Sequence, residues 1–438
     1  MTHESEFSAI SLYGRGGSGV AIQGELAEEA WKSRSPDYTT DLHVDRQTEK
    51  EETRATSAPK PARREPSIWF LSLCKGAYMN PCLRMVKIIS ALMVVLLAPS
   101  AWAQSSGFTV VASGLNGPRG LKFGPDGALY VAEAGSGGDS GGFSCKQVPS
   151  PVGPYHGGLT ARVSRISARG QRTTVVDGLP SSKSSLPSGD TVGAADVAFI
   201  GDNLYVLLAG GGCSHGHPDK PNGVIQVDVD HGTWSYIANL SAFRAANPAA
   251  NPAPSVDDRE PDGTWYGMVA VRGDLYATEP NHQEIDRISP ATGKINRVVD
   301  VSPTSKTWIG PTGITYHGNF FFGNLAPFPI NPGSANVFKL TPSGNFKLWD
   351  AGFTTVVGLA FDNRDRLYVL ELSDAPGFPS PGAGKLVRVS PSGQVEDILT
   401  GLVVPTAMTI GPDGAIYISN FGAAPSGLGQ IIRVAITD

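Results

Sequence analysis

Nowhere in its 438 residues does this chain gather lysine and arginine into a basic stripe, and its formal net charge is −5. Clustered cations are what bind a phosphate backbone, so no nucleic-acid partner is expected. Long apolar runs are also scarce. The run Ile88 to Leu97 falls short of the ~20 residues a membrane helix needs, and no later stretch is long enough. Cysteine is limited to Cys74, Cys82, Cys145 and Cys213. What the chain has in quantity is glycine (53) and proline (34), set against a hydrophobic content of 40%. The glycines are periodic, which describes a turn-rich β protein rather than a low-complexity one.

Met85-Val-Lys87, the apolar run after it and Pro99-Ser-Ala-Trp-Ala103 read together as a secretory signal peptide, residues 85–103, cleaved after Ala103. The product is expected to be secreted or periplasmic, with no membrane span after cleavage. Residues 1–84 read as a mis-assigned start, with Met79 or Met85 the true one, or as a disordered charged extension; the first reading is preferred. Gly14-Arg-Gly-Gly-Ser-Gly19 has the spacing of a dinucleotide fingerprint, but only charge and proline follow it, so it is read as coincidence.

Residues 104–438 are organised by a repeat. Gly114-Leu-Asn-Gly-Pro-Arg-Gly-Leu-Lys-Phe-Gly-Pro-Asp-Gly-Ala-Leu-Tyr-Val-Ala-Glu-Ala134 returns as Gly401-Leu-Val-Val-Pro-Thr-Ala-Met-Thr-Ile-Gly-Pro-Asp-Gly-Ala-Ile-Tyr-Ile-Ser-Asn-Phe421. Each copy reads as two short strands around a Gly-Pro-Asp-Gly turn, a β-hairpin. Weaker copies place the aromatic anchors Tyr130, Tyr205, Tyr276, Phe321, Tyr368 and Tyr417 in six hairpins. The steps from Tyr276 to Phe321, Tyr368 and Tyr417 are 45, 47 and 49 residues, the period of a four-stranded propeller blade. Two further strands follow each of the first five hairpins, but only Gly429–Ile436 follows the sixth. The missing outer strand must be Phe108–Ala112, and the fold class is therefore all-β, a six-bladed β-propeller whose last blade is closed by the N-terminal strand of the mature chain.

Long insertions at 134–160, 178–193, 208–222 and 240–264 fall on one face, where binding sites on rigid scaffolds are usually built. Three places after the anchors stand Glu133, Leu208, Glu279, Asn324, Glu371 and Asn420. The five polar ones are expected either to ring the channel mouth as ligands for a small molecule, or to bond neighbouring loop amides. No cofactor is expected, with Ca or Mg the ions such oxygen donors suit. Arg119 stands beside this ring, and Trp265, Tyr266 and Trp308 precede inner strands on the same face, placed either to stack on a ligand or to pack between blades. The ligand-binding set is thus Arg119, Glu133, Tyr266, Glu279, Asn324, Glu371 and Asn420.

Gly138-Asp-Ser-Gly-Gly142 matches a serine-nucleophile pattern without the strand–turn–helix context, and Ser140 is not expected to be catalytic. Cys213-Ser-His-Gly-His217, with His156 nearby, has metal-site residue types. A Cys145–Cys213 disulfide between two insertions is the preferred reading, since both cysteines remain after cleavage in an exported chain.

The segments Gly114–Leu121, Pro261-Asp-Gly-Thr-Trp-Tyr-Gly267, Asn281-His-Gln-Glu-Ile-Asp-Arg-Ile288 and Gly318-Asn-Phe-Phe-Phe-Gly-Asn-Leu-Ala-Pro-Phe-Pro-Ile330 resemble the ScyD/ScyE family over about residues 107–436. That family is secreted and propeller-like, and is named from gene clusters for an extracellular aromatic pigment. The resemblance implies a fold and a compartment, not a reaction. A more distant resemblance is to NHL-type and gluconolactonase/regucalcin-type propellers. The latter hold a divalent metal at the channel mouth with a Glu before the first inner strand, where this chain reads Gly117-Pro-Arg119-Gly. The functional expectation is an exported binding or accessory module for a small-molecule, polysaccharide or pigment-like ligand, acting as a monomer. The alternative is an enzyme, either a metal-dependent hydrolase of lactones or esters or a quinoprotein-like sugar oxidase.

Overall fold

A computed structural model describes residues 107–437 apart from 142, 187–188, 251–259 and 305–307. The segments read from the sequence as a mis-assigned start or extension, 1–84, and as a signal peptide, 85–103, lie outside the described residues. The described chain forms six antiparallel sheets in a ring, each made of four strands except the first, which has five. The inner strands Pro118–Phe123, Ala194–Ile200, Met268–Val271, Gly310–His317, Val356–Phe361 and Ala407–Ile410 meet their neighbours in chain order around the axis. This is the expected six-bladed β-propeller.

Closure is also as expected. Thr109–Leu115 pairs antiparallel with Gly429–Val434, with Thr109 opposite Arg433 and Leu115 opposite Gly429. It thereby becomes the outer strand of blade six, and its pairing leaves that blade no open ladder at Gly429–Val434.

The repeat is rebuilt as local chemistry at the hairpin turns. Gly127 and Gly414 take φ of 73° and 75°, a region open to glycine at no steric cost. The turn aspartate then does two things: in blade one Asp126 accepts from the amide of Ala128 at 3.1 Å and pairs with Arg165 Nε at 2.7 Å on the third strand. Asp413 with Arg433 repeats this in blade six, and Asp274 with Arg287 in blade three. The anchors Tyr130 and Tyr417 donate their hydroxyls to Asp126 and Asp413 while their rings pack edge-on against Phe199 and Phe123 of neighbouring blades.

Second strands are buried on both faces, Leu129–Glu133 and Leu367–Glu371 throughout, because a neighbouring blade covers each side. Outer strands such as Phe346–Phe353 are largely exposed. Two insertions carry structure of their own. The outer pair of blade one runs on as His156–Ile166 and Arg172–Lys183, and Thr191–Val192 adds the fifth strand. Helix α1, Leu240–Ala246, opens the insertion before blade three, capped by Asn239, whose side chain accepts from the amide of Ala242.

Candidate functional site at the channel and in blade three

The expected ring of strand-end residues is not an open rim. Glu133, Glu279, Asn324, Glu371 and Asn420 are all buried, and each is engaged inside its own blade. Glu133 accepts the amide of Asn116 at 2.7 Å, Glu279 that of Thr264 at 2.8 Å, and Asn420 that of Val403 at 2.9 Å. Glu371 takes the amide of Thr354 in the same way. These four donors sit just ahead of the blade's own inner strand, where the ladder has stopped and a buried amide still needs an acceptor. Asn324 differs, accepting at 2.7 Å from the amide of Asn336 on the third strand of its blade, Ala335–Leu340. Four of the five thus accept a loop amide, and two of the carboxylates are additionally tied down: Glu133 to Arg172 at 2.6 Å, Glu371 to Lys385 at 3.6 Å.

Two of the expected residues lie within electrostatic reach of each other. Tyr266, from the segment entering blade three, donates its hydroxyl at 2.7 Å to the carbonyl of Thr406 at blade six, the opposite side of the ring. Its side chain thus spans the channel. Burial pushes the phenol pKa up, while the positive charge of Arg119 pulls it down and the negative charge of Asp196 adds to the rise, which places all three groups within electrostatic reach. Arg119 itself donates at 2.6 Å to the carbonyl of Thr191.

Asp196 was not among the expected residues. It accepts the amides of Val197 at 2.8 Å and, across the blade boundary, Met268 at 2.7 Å. Burial raises its carboxyl to about 6 against the lowering pull of Lys122 and the two amides. A lone acid in the apolar run Ala194-Ala-Asp-Val-Ala was the available signal. It also belongs to a girdle of bonds from side chains to the next blade: Thr278 to the Thr312 carbonyl, Thr312 to Val356 and Thr406 to Pro118.

Of the aromatic trio, Trp265 is wholly buried between blades. Tyr266 and Trp308 are half-buried against one apolar cluster that includes Leu325, Phe328, Leu372 and Val404.

The insertion motifs are structural. Cys145 and Cys213 form the expected disulfide, joining the insertions of blades one and two. His215 is fully buried and both its ring nitrogens face acceptors, the Gly211 carbonyl at 2.7 Å and Glu260 at 3.0 Å, which also receives the Tyr155 hydroxyl at 2.7 Å. Burial works to lower its pKa, but Glu260 and its other acceptors outweigh that and raise it. His217 bonds the carbonyl of Ser181 at 2.9 Å. The exposed Ser140 pairs its backbone with Gly157, with no nucleophile elbow.

Blade three holds the group with metal-ligand spacing. One ligand atom each from Glu279, His282 and Glu284 lie within 4.8 Å of one another among the described residues, a spacing that could hold one metal ion. Glu279 also accepts the amide of His282 and lies 3.2 Å from its Nδ1. Burial pushes the Glu279 carboxyl up, yet the imidazole and the amides prevail and lower it. Glu284 pairs with Arg244 at 3.1 Å and with Arg297, and burial together with the charge of Glu279 raises its pKa. Asp286 is raised further by burial and by Glu284.

The chain is a six-bladed β-propeller that resembles, at a distance, the gluconolactonase and regucalcin types. No family model matches it. A gluconolactonase from Zymomonas mobilis is 27% identical over 217 residues, 44% of this chain and 58% of that protein. The chain therefore spans little more than half the length of that relative. A calcium-binding regucalcin from Agrobacterium tumefaciens superposes with a TM-score of 0.46 at 13% identity, over 75% of this chain and 94% of that one. An oxidoreductase (glucose dehydrogenase) from Thermus thermophilus gives 0.45 at 17% identity, over 75% and 99%.

Proposed function

We propose that this protein is an exported, ScyD/ScyE-like propeller that binds a small neutral or anionic organic molecule above the channel, at Arg119 and Tyr266. The observation that carries the reading is the phenol of Tyr266 reaching Thr406 across the ring with the guanidinium of Arg119 acting on it. A cation and a hydroxyl on the axis favour a carboxylate or polyhydroxylated ligand over a metal ion. The half-buried rings of Tyr266 and Trp308 add an apolar wall on which a flat ligand can stack. A second reading, a metal-dependent hydrolase of lactones or esters, is favoured by the similarity to the Zymomonas gluconolactonase.

One experiment separates them. Calorimetric titration with gluconate, glucono-1,5-lactone and p-coumarate is expected to show binding of at least one of these, weakened about tenfold or more in Arg119→Ala. Unchanged binding in both Arg119→Ala and Tyr266→Phe sinks the site. Turnover of the lactone that depends on an added divalent ion sinks the binding-module reading in favour of the hydrolase.

A further inference from the structure

Blade three holds more buried acid than its guanidiniums neutralise. Glu279, Glu284 and Asp286 are all fully buried, and the guanidiniums that pair in this cluster, those of Arg244 and Arg297, both contact Glu284. Charges removed from water are found paired or bound to metal, because the desolvation cost is otherwise uncompensated. Asp286 is the residue in surplus. The indole of Trp265 is its neighbour, yet neither Asp286 oxygen receives a well-formed hydrogen bond. It follows Glu284 by two residues on the strand Glu284–Ser289, so the two carboxylates share one face of the sheet. The Nδ1 of His282 is likewise buried without a well-formed hydrogen bond, at 3.2 Å from Glu279.

We propose that blade three carries a closed structural site for one small divalent transition ion of the Zn²⁺ class, held by Glu279, His282 and Glu284, whose ligand atoms already lie within 4.8 Å of one another, with Asp286, outside that group but two residues further along the strand from Glu284, turning in as the fourth donor. The donor set decides the ion. An imidazole nitrogen among carboxylates suits zinc-class ions, whereas Ca²⁺ takes six to eight oxygens. Burial decides the role: a catalytic zinc keeps a position open to water or substrate, and here all four donor residues are buried. Arg244 and Arg297 act as outer partners that orient Glu284. Arg244 comes from α1, and Arg297 also donates to the carbonyls of Asn247 and Pro248, so the ion fastens the segment 240–248 to the blade. The inference is independent of the channel-mouth reading.

The test uses the full chain, purified without an affinity tag. Elemental analysis is expected to find about one zinc per chain. After stripping with a chelator, returning Zn²⁺ at about a hundredfold its dissociation constant is expected to raise the melting temperature by roughly 5 °C. Asp286→Asn, which keeps the shape of the side chain, is expected to weaken Zn²⁺ binding about tenfold or more, and Asp126→Asn on the turn face to leave it unchanged. Stripped protein with native circular dichroism that Zn²⁺ does not stabilise overturns the proposal, and so does stabilisation by Ca²⁺ or Mg²⁺ alone. If Glu284→Gln fails to fold, Asp286→Asn still decides, because equal Zn²⁺ affinity in that variant and the parent rules the fourth donor out.

Discussion

Blades one and three place a glutamate at the same position, and surround it in opposite ways. In blade one, Glu133 receives the Asn116 amide, the Ser164 hydroxyl and both oxygens' worth of Arg172, so one buried charge meets one guanidinium and every lone pair is used. In blade three, Glu279 is bonded by two amides but stands beside two further buried acids, with the nearby guanidiniums committed to Glu284. A repeat can hold the backbone constant while its neighbours turn the same residue into a closed account of charge or an open one.

Breaking the balanced site has the largest expected effect. Arg172→Ala leaves Glu133 buried without its counter-ion and is expected to cost about 3–5 kcal/mol in urea unfolding. In chelator-treated protein, Asp286→Asn removes a surplus acid and is expected to cost less than about 1 kcal/mol. Similar losses for the two would erase the contrast. The insertions give the next test: blades one and two are joined covalently, whereas 240–248 is held to blade three by ion pairs and hydrogen bonds. Cys145→Ser with Cys213→Ser is expected to lower stability by about 2–4 kcal/mol, with the added freedom confined to the insertions in hydrogen exchange.

The most gradual effect is in pH. Asp196 is raised to about 6 and Glu371 to about 7, both chiefly by burial. Between the ordinary carboxyl range and these values the folded protein holds more protons than the unfolded chain, so stability falls as pH rises from about 4.5 to 7. Each group contributes at most about 1.4 kcal/mol per pH unit in its window. Denaturant midpoints recorded across that range are expected to slope downward, and Asp196→Asn to flatten the lower half of the slope; an unchanged slope in that variant would assign it elsewhere.

What the sequence revealed followed the distance over which the chemistry acts. The Gly124-Pro-Asp-Gly127 turn is written in four adjacent residues, and the count of strands forces Thr109–Leu115 into blade six. The strand-end acids were visible as a pattern but not as a role, since a channel ligand and an amide acceptor both call for a polar side chain at that place. Asp196 and the blade-three cluster depend on partners brought from elsewhere in the chain, Met268 to Asp196 and Arg244 to Glu284, and no local spacing encodes them. Tyr266 was legible as an aromatic ahead of an inner strand; its reach to Thr406 exists only once the ring has closed.

That closure sets an order of events during synthesis. Thr109–Leu115 is made before any blade is complete, yet its hydrogen-bonding partner, Gly429–Val434, is made only after all six inner strands. Blades one to five can assemble in turn as their strands emerge, with the waiting strand unpaired throughout. Tyr266, half-way along, has no carbonyl to reach until Thr406 arrives. A ribosome that stalls within blade six therefore releases an open arc with an exposed sheet edge at each end, and the chain becomes a ring only when Gly429–Val434 meets the waiting strand.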